Sequence, residues 1–90
     1  MVVSTPRSQK DPERSKLWER RRRAVGARIR ELRLASGLSQ ESLALESGVS
    51  RDQLIQMEHG RRGLVVERLY DLADVLGVPA SELVVDDRDQ

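Results

Sequence analysis

Only three residues, Gly48-Val49-Ser50, interrupt the helical pattern that runs from Gln40 to His59, and this short break constrains the fold more than any other feature. Before it, Leu43 and Ala44 turn one face of Gln40–Ser47 inward. After it, Leu54 and Met57 do the same for a second segment, Arg51–His59. Ser39 and Ser50 are good N-cap residues, and Ser50 with Gln53 fits the S-x-x-Q capping box. Gly48 can take positive φ without a Cβ clash and so reverse the chain. Ala44 is small enough for the second helix to cross closely, while Val49, Leu54 and Met57 lock the two at a fixed angle. The polar residues left over, Arg51, Asp52, Gln53 and Gln56, point outward together from the first turns of the second helix.

The rest of the chain supplies helices around this pair. Residues 1–16 read as a flexible basic arm, with helix able to begin from about residue 11, where Asp11 caps and Pro12 takes the first helical position. Trp18, Val25, Ile29 and Leu32 form one apolar stripe ending at Gly37, which predicts a first helix reaching about Ser36. A later segment, Glu67–Leu76, carries Leu69, Leu72, Ala73 and Leu76 on one face and stops at Gly77. Pro79-Ala80-Ser81-Glu82-Leu83 makes a short last turn, because Pro is tolerated in first helical positions. Leu64-Val65-Val66 is too short and unpartnered for a strand. The expectation is an all-α, compact domain of five helices over residues 17–85, followed by an acidic disordered tail, 86–90.

Composition narrows the chemistry. The 90 residues contain no Cys and a single His, His59. That removes disulfides, thiol nucleophiles and Cys-based zinc sites, and with them a multi-histidine metal site or a charge-relay triad within one chain. No metal or cofactor is expected, and no enzyme activity. Nothing resembles a signal peptide, and no stretch approaches the ~20 apolar residues of a spanning helix. The expected location is cytoplasmic, nucleoid-associated when bound to DNA.

The formal net charge of +1 hides an asymmetry. Up to Arg33, 11 basic residues face 4 acidic ones, a net +7; from Leu34 onward, 5 face 11, a net −6. A basic front on an acidic rear suggests a polyanion for one face.

Two short helices joined by a three-residue turn containing glycine, the second opening with a capped polar face, make a helix-turn-helix signature. Here the chain resembles the lambda-repressor/Cro (xenobiotic-response-element) family. The resemblance runs from Gly37-Leu38-Ser39-Gln40-Glu41-Ser42-Leu43-Ala44 through Gly48-Val49-Ser50-Arg51 to Met57-Glu58-His59-Gly60-Arg61-Arg62. It resumes from Leu69 to Leu83, ending in Leu76-Gly77-Val78-Pro79-Ala80-Ser81-Glu82-Leu83. It implies a lambda-repressor-like fold whose third helix enters the DNA major groove while the second crosses the backbone. By position, Arg51, Asp52, Gln53 and Gln56 would face the bases, and Gln40, Ser50, Arg61 and Arg62 would meet phosphates. Arg33 and Glu58 would pair to orient the reading helix. Asp52 also suits the helix dipole, Gln53 also suits the capping box, and His59 reads as an exposed residue near a helix C-terminus.

Two features depart from the family pattern. Leu64 and Val65 stand where a Pro and a capping Ser or Thr are usual, and neither can cap through its side chain. The run Arg20 to Arg23 with Trp18 is additional, and could track phosphates, pack on a partner subunit or form a solvated helix end. The resemblance implies a sequence-specific regulator of transcription, a homodimer on a palindrome-like stretch of double-stranded DNA. The competing reading is an antitoxin or protein-interaction module acting through a partner protein, with Leu64-Val65-Val66 and Trp18 as its contact surface.

Overall fold

The structure, a computed structural model, describes residues 11–61 and 64–85. Helix α1 runs Pro12–Ala35, α2 Gln40–Ser47, α3 Arg51–Glu58 and α4 Val66–Leu76; a 3-10 turn, Ala80–Glu82, follows. The arm before residue 11 and the tail after residue 85 lie outside the described residues.

Among the described residues there are four α-helices, not the five expected. The last segment is too short to close an α-helical ladder. Glu82 N–H donates to the Pro79 carbonyl and Leu83 N–H to that of Ala80, both at 2.9 Å, which is the tighter i→i+3 pattern. Leu83 is fully buried directly after it, anchoring the turn in the core.

Three of the four described α-helices start at a side-chain cap. Asp11 accepts from the N–H groups of Glu13 and Arg14, with Pro12 in the first turn. Ser39 Oγ accepts from Ser42 N–H at 2.9 Å. Ser50 and Gln53 form the reciprocal capping box, Gln53 N–H to Ser50 Oγ at 3.0 Å and Ser50 N–H to Gln53 Oε1 at 3.3 Å. Helix α4 starts behind Val65 with no side-chain cap, so its orphan N–H groups are left to other partners.

The core is aliphatic. Ile29 from α1, Leu43 from α2, Leu54 from α3, Leu72 from α4 and Leu83 are each fully buried, with Val49 of the α2–α3 turn nearly so. Burying each such side chain is worth about 1.5–3 kcal/mol. Helix α1 packs on α3, while α2 packs on both α3 and α4. Only the C-terminal half of α1 joins this core, through Ala24, Val25, Gly26, Ile29 and Arg33. Trp18, expected in the apolar stripe, is 40% exposed instead. The early turns of α1 project past the core, with Arg14 and Arg21 over the indole at 5.4 and 5.0 Å from its centroid.

Candidate nucleic-acid interface

The α2–α3 connection follows from its residues. Gly48 adopts φ +80°, where a side chain would be strained, and its N–H donates to the Ala44 carbonyl at 3.0 Å. Val49 N–H donates to Ser47 Oγ at 3.2 Å, and the Val49 side chain turns into the core. Helix α3 therefore leaves the turn at a set angle across α2, held from below by buried Leu54 and Met57.

Eight residues of α3 divide cleanly. Leu54, Met57 and Glu58 are buried on one arc; Arg51, Asp52, Gln53 and Gln56 are exposed on the other, with Ile55 half-buried between them. Arg51 and Asp52 stand at the first turn. Gln53 has its side-chain oxygen engaged by the Ser50 N–H. Gln56 has a partner that its sequence neighbourhood did not reveal: Arg61 Nη1 donates to its Oε1 at 3.1 Å. The chain turns back after Gly60, and Arg61 N–H also donates to the Gln56 carbonyl at 3.0 Å. Arg61 is exposed beside α3, His59 is exposed at its C-cap, and Arg62 lies outside the described residues.

Behind this face is a buried polar network. Arg33 Nε and Nη2 donate to the two Glu58 carboxylate oxygens at 2.7 and 3.0 Å, and Arg33 Nη1 donates to the Leu38 carbonyl at 3.0 Å. Gln40 Nε2 joins it, donating to Glu58 Oε1 at 3.1 Å. One carboxylate thus links α1, the start of α2 and the end of α3. Gln40 is half-buried, with one amide hydrogen already committed.

Sequence reasoning missed Gly26. A Cβ there would lie 2.3 Å from the Met57 carbonyl oxygen and 2.6 Å from that of Glu58. Only glycine lets α1 approach the end of α3 so closely. Arg22 reinforces the approach, its Nε donating to the Gly60 carbonyl at 3.3 Å. The available signal was a glycine inside an apolar helical stripe, a residue disfavoured there without a packing reason.

At the far end of α1, Arg28 ties the helix to the last turn. Its Nη2 donates to Glu82 Oε1 at 2.7 Å and its Nε to the Glu82 carbonyl at 3.0 Å, with Glu31 on Nη1. The Glu31 carboxylate first, then that of Glu82, raises the Arg28 pKa.

No group of His, Asp or Glu among the described residues is arranged to hold a metal ion, and no described helix is long and apolar enough to cross a membrane.

The helix-turn-helix family matches residues 29–83 of the chain. Over 63 residues the chain is 44% identical to an uncharacterized HTH-type transcriptional regulator, y4dJ, of Sinorhizobium fredii, covering 70% of this chain and 82% of that protein. The crystal structure of the restriction-modification controller protein C.AhdI from Aeromonas hydrophila superposes with a TM-score of 0.67 at 40% identity, over 69% of this chain and 94% of that one. The DNA-binding domain of BldD superposes with a TM-score of 0.66 at 32% identity, over 74% and 97% of the two chains. The chain belongs to the lambda-repressor/Cro-like helix-turn-helix family.

Proposed function

We propose that the chain is a sequence-specific transcriptional regulator that binds double-stranded DNA as a homodimer on a palindrome-like operator, with α2 and α3 as its helix-turn-helix. The observation that carries this reading is the outward arc of α3. Arg51, Asp52, Gln53 and Gln56 stand exposed there on a helix whose other arc is tied to α1 and α2 by Leu54, Met57 and Glu58. Membership of a family of DNA-binding regulators supports it, as does the likeness to a domain named for DNA binding. In this reading residues 17–85 are the DNA-binding domain and the protein acts on the nucleoid.

Each residue then has a role. Arg51 grips guanine O6 and N7 with its two-pronged guanidinium, Gln56 reads a neighbouring base, and Asp52 accepts from a cytosine amino group. Gln53 contributes through its free amide hydrogens while its oxygen serves the cap. Ser50 and Arg61, with the second amide hydrogen of Gln40, meet phosphates and set the register. The Arg33–Glu58 pair holds α3 at its angle to the scaffold.

Apolar side chains support the dimer. Trp18, Val25, Leu64, Leu69, Val84 and Val85 line a groove of about 380 Å³, and Val65, Val66 and Val84 are each 46–60% exposed. Trp18, Val65, Val66 and Val84 keep exposed apolar surface, which suits an interaction site. The same groove favours the second reading, a module acting through a partner protein. An electrophoretic shift separates them: the DNA reading predicts retarded random duplex at low salt, and tighter retardation of a duplex selected from a random pool. A protein that shifts neither duplex would favour the protein-interaction reading.

A further inference from the structure

The basic end of α1 does not stand alone in solvent. It runs past the C-terminal end of α3, and a Cβ on Gly60 would lie 2.6 Å from Arg23 Cα and 2.8 Å from Arg23 Cγ. The backbone carrying Arg23 is thus pressed against the residue that closes α3. Arg22 holds the contact by donating to the Gly60 carbonyl. Beside this junction lies a groove of about 440 Å³ lined by Glu19, Arg22, Arg23, His59, Gly60 and Arg61.

One observation connects the groove to the outward face of α3, and a second leaves Arg23 open to exchange. Arg61 lines the groove and also donates to Gln56 Oε1 at 3.1 Å, so one guanidinium borders both surfaces. Arg23 pairs with Glu19 at 3.6 Å, with the two side chains 66% and 51% exposed. An exposed pair of that kind is worth little, and a phosphodiester oxygen can displace the carboxylate. Arg22 holds the loop through its Nε, while Arg23 and Arg61 bring two further guanidinium-bearing side chains to the groove.

We propose that this groove is a second phosphate-binding surface, in which Arg23 and Arg61 grip the backbone of the same duplex whose bases α3 reads. The inference rests on the DNA reading above. Arg23 supplies affinity without sequence preference, since a phosphate contact carries no base information. Glu19 tempers it by competing for the guanidinium.

The test compares wild type, Arg23→Gln, Glu19→Gln and the double variant on selected and random duplexes across a salt series. Gln keeps the Cβ and Cγ of Arg23, the stem that meets Gly60. Arg23→Gln should lower the slope of log affinity against log salt by about one per bound protomer, hence about two for the homodimer, on both duplexes. Its deficit relative to wild type should be about 12-fold larger at 50 mM than at 200 mM salt for the homodimer. Glu19→Gln, a change at an exposed side chain, should tighten binding, and the gain should vanish when Arg23 is already Gln.

A wild-type slope in Arg23→Gln, or a Glu19→Gln gain that survives without Arg23, overturns the proposal while leaving the DNA reading intact. Loss of self-association in Arg23→Gln with an unchanged slope makes the groove a protein interface and overturns it too. If wild type binds no duplex at low salt, the DNA reading fails and the groove proposal fails with it.

Discussion

Arg33 and Glu58 form a two-pronged ion pair at 2.7 and 3.0 Å, their side chains only 8% and 2% exposed, joining the last turn of α1 to the last residue of α3. Buried so deeply, neither charge has water to fall back on, and each depends on the other. Arg33→Ala or Glu58→Ala should lower unfolding stability by about 3–5 kcal/mol, because the remaining charge is left uncompensated. Replacing both with apolar residues of similar volume should cost much less. Urea denaturation of the two single variants and the double variant checks this; additive losses would show that the pair is not coupled.

Gly26 reverses an ordinary rule. In an exposed helix interior, Gly→Ala stabilises by about 0.5–1 kcal/mol. Here the added Cβ meets two backbone carbonyls of α3 inside 3 Å, and backbone cannot swing aside as a side chain can. Gly26→Ala should instead destabilise by about 1–3 kcal/mol, the usual cost of overpacking, as read by thermal unfolding. It should also weaken DNA binding, since α3 must shift.

These two cases show where the sequence is legible and where it is not. Ser39, Ser50 and Gln53 act within three residues of themselves, so the limits of α2 and α3 and the capping box could be read from local pattern. The Gly26 contact spans more than thirty residues, and the Arg22–Gly60 bond joins groups 38 apart. No periodicity announces either. Trp18 fits the apolar stripe by spacing but lines an open groove with Leu69 of α4 and Val84, so it is covered only in part. The fifth helix was expected from its Pro and Leu positions; only three residues separate Pro79 from Leu83, too few for an α-helical turn to propagate. Arg61 reaches Gln56 because the chain doubles back at Gly60, a geometry that helical spacing cannot express.

Trp18 offers a probe of assembly, being the single tryptophan of the chain. If its groove receives a second copy, its emission should shift to the blue as protein concentration rises through the dimerisation range. Trp18→Ala should weaken self-association in sedimentation. Emission independent of concentration, in a protein that does dimerise, places the dimer surface elsewhere.

The capping box gives a local prediction. Ser50→Ala removes the acceptor for Gln53 N–H at the start of α3 and should cost about 1 kcal/mol of stability. Loss of α3 order should appear as faster amide exchange at Gln53 and Leu54 ahead of the rest of the core.

The central claim, that the outward arc of α3 reads bases, is tested most directly at Arg51. Wild type and Arg51→Ala should be titrated by fluorescence anisotropy against a duplex selected from a random pool and against random duplex. The prediction is a loss of about 1–3 kcal/mol per half-site on the selected duplex, roughly 5- to 150-fold each, with relaxed preference at one base pair of each half-site and nearly unchanged random binding. An Arg51→Ala protein that binds the selected duplex as tightly as wild type would contradict it.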